Sequence, residues 1–155
     1  MILILAVGQK QPAWVNDAVA DYLNRFPADA RPMLKEIKAE PRNTGKSVAA
    51  MMAAEAERIE AAIPNDTTRI AMDERGKALT TEELTKLLER LQQASTNIAF
   101  VIGGPDGLDF KLKSSCHHQI QLSSMTLPHG LVRILLAEQL YRVWSITKNH
   151  PYHRS

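Results

Sequence analysis

Residues 97–108 read NIAFVIGGPDGL, in which a strand-like run leads directly into two glycines, a proline, an aspartate and a third glycine. A short apolar run of this kind is typical of a buried strand. The glycines have two open interpretations: they allow a tight turn, or they let a ligand lie against bare backbone. In open parallel sheets, ligands bind beyond the carboxyl ends of the strands, so this segment is a candidate site.

Segments typical of strands alternate with segments typical of helices along the whole chain. Strands are predicted over residues 2–7, 32–38, 68–73, 97–102 and 119–123, with 74–79 as a connection. Helices are predicted over 12–26, 47–62, a segment after the capping box of Thr80 and Glu83, 111–116 and 130–146. The alternation predicts one α/β domain over residues 1–155, with a parallel sheet of about five strands and helices on both faces. The second strand is more polar and is expected near a sheet edge.

The composition is that of an ordinary soluble globular protein. Of 155 residues, 45% are hydrophobic and 23% are charged, and the net charge is only +2. Cys116 is the single cysteine, which excludes an intramolecular disulfide and suits a reducing compartment. The opening MILILAV is too short to cross a bilayer and lacks the flanks of a signal peptide. We expect a cytoplasmic protein without a membrane segment.

The spacing of the glycine loop disfavours phosphate ligands. A P-loop needs four residues between its first glycine and a Gly-Lys-Ser/Thr run, and the sequence has no such spacing. A dinucleotide fingerprint needs Gly-x-Gly-x-x-Gly with an acidic residue about 20 positions later, where this chain has Ser123. A nucleotide-dependent oxidoreductase is therefore an unfavoured alternative.

A second candidate loop, LSSMTLPHGLVR at residues 122–133, also follows a predicted strand. Its apolar and hydroxyl side chains suit a ligand that has a ring and a few polar edges. The alternative is a partly buried connection whose Ser and Thr side chains cap their own backbone.

The last predicted helix is apolar on nearly every side. Glu138 and Arg142 form an i,i+4 pair, and most other positions are aliphatic or aromatic. Burial in a homodimer or a central position in the fold would each explain this pattern. Arg133 lies roughly 140° from Glu138 around the helix, so no partner is expected there. Together with His129, it is a candidate contact for an anionic substrate.

The tail, residues 147–155, is rich in basic and aromatic side chains, among them His150, Tyr152, His153 and Arg154. Such residues suit phosphate contacts and base stacking, and a frayed polar terminus is the alternative. Two histidines without a third spaced ligand do not predict a metal site.

Three segments together carry a resemblance to a known family. VIGGPDG, LSSMTLPHGLVR and YRVWSITKNHPYHR resemble the signature segments of the RlmH family of SPOUT methyltransferases, and ILAVGQ…W…YLNRFP resembles its N-terminus. The resemblance implies a homodimer with a SPOUT-type α/β knot and a C-terminal trefoil knot. It also implies S-adenosylmethionine as cofactor and methylation of N3 of a pseudouridine in helix 69 of 23S rRNA, on assembled ribosomes.

The resemblance also implies which residues form the site. The cofactor would contact the end of the third strand, the glycine loop and the second loop: Met72, Gly103, Gly104, Gly107, Leu122, Ser123, Ser124, Met125, Thr126 and Leu127. The candidates to assist proton loss or stabilise charge are His129, Arg133, Arg142, Tyr152, His153 and Arg154. Of these, His129 and Arg133 are favoured because they adjoin the cofactor loop. A non-catalytic ribosome-binding or RNA-binding protein of the same fold is the main alternative.

Overall fold

The computed structural model describes residues 1–94 and 96–154, and its centre is a five-stranded parallel sheet in the order β2-β1-β4-β3-β5. The strands are β1 (Ile2–Val7), β2 (Met33–Ile37), β3 (Thr67–Ala78), β4 (Asn97–Ile102) and β5 (His118–Gln121). The predicted parallel sheet is confirmed, and the polar strand β2 lies at an edge.

Helices cover both faces of the sheet, as predicted. They are α1 (Ala13–Leu23), α2 (Val48–Ala62), α3 (Thr81–Gln93), α4 (Phe110–Ser115) and α5 (His129–Thr147), followed by a 3₁₀ helix, Pro151–Arg154. Alternate strand residues point to opposite faces. Ile4 and Phe100 therefore pack with α1, α3 and α5, whereas Leu5 and Val101 belong to the core on the side of α2 and α4.

The start of α3 is fixed by the capping box that the sequence predicts. The Glu83 N–H donates to Thr80 Oγ1 and the Thr80 N–H donates to Glu83 Oε1, both at 3.1 Å. Two backbone donors that have no partner within the helix are thereby satisfied. This cap fixes where the chain leaves β3 and turns back over the sheet.

β3 is longer than predicted, because residues 74–78 continue it instead of forming a connection. The pairing with β5 shifts between Met72 and Lys77, both of which face Ile120. A Cβ on Gly76 would lie 2.6 Å from the Ile120 nitrogen, so glycine allows this irregular stretch to approach β5 closely. β5 in turn ends at Gln121, two residues earlier than predicted.

The apolar helix α5 occupies a central position. It packs between α1 and α3, over β4, and the side chains of Leu136, Ala137 and Leu140 are almost fully buried. Of the two explanations left open by the sequence, the central position accounts for most of the apolar surface. Leu135 is still 39% exposed on the remaining side of the helix.

Two further findings concern the described residues. No helix among them is long and apolar enough to cross a membrane. Within the same residues, no group of three or more His, Cys, Asp or Glu side chains could hold a metal ion.

The sheet order, in which the chain leaves β4 and returns beyond β3 as β5, agrees with a SPOUT-type arrangement, while the knot itself stays a prediction.

Candidate active site

A cavity of about 520 Å³ lies at the carboxyl ends of β4 and β5, beside the middle of β3. Its main walls are residues 72–75 of β3, the glycine loop at residues 103–108, the loop at 122–128, and the first turn of α5. Parallel strands end at the same edge of a sheet, so this is the position at which open α/β folds bind ligands.

The cavity brings together most of the residues predicted to hold a cofactor. Nine of them line it: Met72, Gly103, Gly104, Gly107, Leu122, Ser123, Met125, Thr126 and Leu127. Ser124 is exposed and is not among the lining residues. Of the candidate catalytic residues, His129 lines the cavity, whereas Arg133, Arg142, Tyr152, His153 and Arg154 do not.

Several charged wall residues were missed by the sequence analysis. Asp73, Glu74 and Arg75 follow Met72 directly, and Lys113 of α4 forms an ion pair with Asp73 at 3.3 Å. The Thr126 hydroxyl donates to Glu74 at 3.2 Å and ties the second loop to β3. Asp73 ends the third predicted strand, and Glu74 and Arg75 come directly after it, but these two had been assigned to a connection.

The glycines of the loop are required by the turn itself. A Cβ on Gly103 would lie 2.6 Å from the Gly107 carbonyl carbon, a distance shorter than real Cβ atoms show to a neighbouring atom. Gly107 has φ +83° and its N–H donates to the Gly104 carbonyl at 3.0 Å. The tight turn accounts for Gly103 and Gly107, and a ligand lying against this backbone stays a prediction. The same turn nevertheless forms a wall of the cavity.

One buried polar atom beside the cavity lacks a protein partner. Gln121 lines the cavity, and its Nε2 donates to the Gly76 carbonyl at 2.9 Å. Its Oε1 is buried without a hydrogen-bond partner among the described residues. Buried acceptors are nearly always paired, so a ligand N–H or O–H in the cavity would satisfy this oxygen.

His129 is the titratable candidate that the cavity contains. It begins α5 and is half-buried. Burial lowers its pKa below the ordinary histidine value, and the neighbouring positive charge of Arg133 lowers the pKa further. The imidazole is therefore neutral near pH 7 and can accept a proton.

Arg133 has a partner, so the expectation of an isolated arginine is wrong. Its Nη1 donates to Glu36 Oε2 at 2.6 Å, and its Nη2 donates to the Gly8 carbonyl at 2.7 Å. The side chain is 1% exposed, at the carboxyl ends of β1 and β2. The helical wheel of α5 could not show this pair, because Glu36 comes from a strand 97 residues earlier in the chain.

The remaining candidates cluster at the other end of α5. Arg142 contacts Glu138 at 2.8 Å and lies 4.9 Å from the ring centre of Tyr152, whose hydroxyl donates to Glu138 at 3.3 Å. Ser145 Oγ lies 2.8 Å from His153 Nδ1. Arg154 is exposed in the 3₁₀ helix.

The tail, as far as Arg154, therefore folds back on α5, which contradicts the alternative of a frayed terminus. Ser155 lies outside the described residues. Thirteen residues of α-helix separate His129 from Arg142, which is roughly 20 Å at 1.5 Å per residue. The candidate catalytic residues thus form two separate groups within one chain.

The parallel sheet with helices on both faces, and a cavity at the carboxyl ends of its strands, define an α/β protein with a candidate ligand site. The family model described as "Predicted SPOUT methyltransferase" matches residues 1–153. A protein from Bordetella petrii named "Ribosomal RNA large subunit methyltransferase H" is 56% identical over 154 residues, covering 99% of each chain. One of the same name from Ralstonia pickettii is 55% identical over 99% of this chain and 98% of its own. The chain belongs to this RlmH family of SPOUT methyltransferases.

Solved structures support the same fold. The crystal structure of a probable methyltransferase from Bordetella pertussis Tohama I matches 92% of this chain and 93% of its own, with a TM-score of 0.61 and 16% identity. A probable methylase family protein from Haemophilus influenzae Rd KW20 matches 97% of this chain and 68% of its own, with a TM-score of 0.56 and 13% identity. At these identities, the likeness concerns the fold alone.

Proposed function

We propose that this protein methylates ribosomal RNA of the large subunit and binds S-adenosylmethionine in the cavity. The observation that carries the proposal is the cavity itself, because two of the three family-like segments, the glycine loop and residues 122–129, form its walls. The relatives that match 99% of this chain are named as large-subunit rRNA methyltransferases. Following the family, the target is N3 of the pseudouridine in helix 69 of 23S rRNA, on assembled ribosomes in the cytoplasm.

The lining residues fit this cofactor. Leu122, Met125 and Leu127 offer apolar surface for the adenine ring, and the unpaired Gln121 Oε1 can accept from an amino group. Glu74, which accepts from the Thr126 hydroxyl, is a wall carboxylate that favours a cationic ligand. When bound, the cofactor supplies an activated methyl group on a positively charged sulfur. The protein's part is to hold that group in line with the acceptor nitrogen.

The acceptor is an imide nitrogen whose proton must leave before or during attack. His129 lines the cavity in its neutral form, so its imidazole can take this proton at neutral pH.

A homodimer would bring the two separate groups of candidate catalytic residues together. Within one chain, the cluster of Arg142, Tyr152 and His153 lies at the far end of α5 from the cavity. We propose that the exposed side of α5, around Leu135, packs on a second copy, so that the tail of one protomer completes the cavity of its partner. The net charge of +2 gives little general attraction for RNA, so local basic groups of the tail would position it.

The proposal is tested by calorimetric titration with S-adenosylmethionine and with NADH, followed by methylation of intact ribosomes and of a naked helix 69 stem-loop. We expect binding of the first ligand alone, and methylation of ribosomes in preference to the stem-loop. Binding of NADH would support an oxidoreductase. Ribosome binding without cofactor affinity or methylation would support a non-catalytic RNA-binding protein.

His129→Ala is expected to lower kcat roughly 10²-fold, because a positioned general base typically contributes that much or more. S-adenosylmethionine affinity should change far less. Because the pKa of His129 is lowered, His129 is still mostly neutral at the pH where an ordinary histidine is half protonated. The methylation rate of wild type should therefore be maintained at that pH and should fall only at lower pH. The rate is measured across pH for both proteins. A wild-type rate in the variant, or an unchanged acid limb, would remove His129 from the mechanism.

A further inference from the structure

A network of charged side chains lies behind the glycine loop, on the sheet face opposite to α5. Glu55 of α2 is 2% exposed, and its Oε2 accepts from the Arg42 Nη1 at 2.8 Å and from the Glu40 N–H at 2.9 Å. A carboxylate that is buried this deeply needs such partners to remain charged. Glu55 therefore gives Arg42 a fixed anchor in the core.

Arg42 extends from this anchor to the glycine loop. Its Nε donates to Asp106 Oδ2 at 3.0 Å, while its Nη1 also donates to the Glu40 carbonyl at 2.8 Å. Asp106 lies between Gly104 and Gly107 and lines the cavity, whereas Arg42 and Glu55 are not among the lining residues. The planar guanidinium thus joins a buried carboxylate to the wall of the cavity from behind.

The segment between β2 and α2 has a second anchor, formed by the side chain of Glu40, whose backbone N–H and carbonyl belong to the first anchor. Glu40 is 7% exposed and accepts from Lys46 Nζ and from Arg58 Nη2, each at 2.6 Å. Neither of these contacts involves the glycine loop. The segment therefore has two arginine ion pairs that can be compared, that of Arg42 and that of Arg58, and only Arg42 contacts the cavity wall.

We propose that Arg42 is a positioning residue, which holds Asp106 and the turn Gly104–Gly107 in the conformation that binds the cofactor. The expected effect on cofactor binding rests on the proposed function, since this wall belongs to the proposed cofactor cavity. The physical basis is the link that Arg42 makes between the buried Glu55 and Asp106. Without that link the wall is free to shift, and it then presents its backbone groups less accurately to a ligand.

Arg42→Gln is expected to weaken S-adenosylmethionine affinity about tenfold, with kcat at saturating cofactor within about twofold of wild type. Arg42→Lys should recover only part of the affinity, because one ammonium group cannot reproduce the guanidinium fork. Asp106→Ala combined with Arg42→Gln should be little worse than either change alone, since both remove the same link. Calorimetry and steady-state kinetics give these values.

Arg58→Gln is the matched control, because it breaks an ion pair of the same segment that does not reach the loop. Its cofactor affinity should equal that of wild type. Amide hydrogen exchange supplies a readout without cofactor: the Gly107 N–H should exchange faster in Arg42→Gln and not in Arg58→Gln. Equal affinity and equal exchange in all three proteins would overturn the inference. If wild type binds no S-adenosylmethionine, the proposed function fails, and hydrogen exchange still decides whether Arg42 positions the loop.

Discussion

A Gly103→Ala variant is expected to bind S-adenosylmethionine roughly 100-fold more weakly than wild type, at the upper end of what overpacking costs. The added Cβ would lie 2.6 Å from the Gly107 carbonyl carbon and 2.8 Å from the Leu108 nitrogen. Both of these atoms are backbone, so no flexible side chain can move aside. The turn must open instead, and the cavity wall moves with it. Calorimetric titration of the folded variant measures the effect.

Gly45→Ala is a suitable control for the general cost of losing a glycine. Gly45 has φ +77°, so alanine is strained there, yet no atom lies within 4 Å of the added Cβ and the residue does not line the cavity. This variant should lose about 1 kcal/mol of unfolding free energy and keep wild-type affinity. Equal affinity losses in the two variants would show that stability, rather than the shape of the turn, controls binding.

The fold was predictable from the sequence because its signals are local. Apolar runs such as residues 97–102 identify buried strands, and the Thr80–Glu83 box identifies the start of α3. The continuation of β3 to Ala78 was missed because Lys77 and Ala78 pair with β5 only after an irregular stretch at Gly76. That pairing depends on a strand more than 40 residues away, and no local pattern reports it.

The same limit applies to the candidate site. Loop composition and the family resemblance predicted ten of the cavity's lining residues, nine for the cofactor and His129 as a catalytic candidate, since parallel strands end at the same edge of a sheet. Side-chain partners were not predictable, because Arg133 meets Glu36 and Arg42 meets Asp106 across long stretches of chain. By contrast, the predicted helix 130–146 already placed His129 at its start and Arg142 near its end, so their separation within one chain was implied by the sequence.

Arg133→Met is expected to lower the unfolding free energy by roughly 2–4 kcal/mol. The change leaves the Gly8 carbonyl without its 2.7 Å donor and Glu36 without its partner. The figure lies below that of a fully buried pair because the Glu36 side chain is 35% exposed and keeps some solvation. Urea unfolding measures the loss. Lys86→Met breaks a pair whose side chains are 74% and 81% exposed, and it should cost less than about 0.5 kcal/mol.

The two roles considered for Arg133 predict opposite results in this variant. A substrate contact would leave stability unchanged and weaken RNA binding, whereas a buried tie between α5 and the strand ends makes stability the first loss. A tie of this kind still affects the chemistry, because the Arg133 charge contributes to the lowered pKa of His129. Removing that charge should raise the pKa of His129 and move the acid limb of the methylation rate to higher pH. An NMR titration of His129 in wild type and in Arg133→Met would show this shift, and an unchanged titration would separate the structural role of Arg133 from any influence on the proposed base.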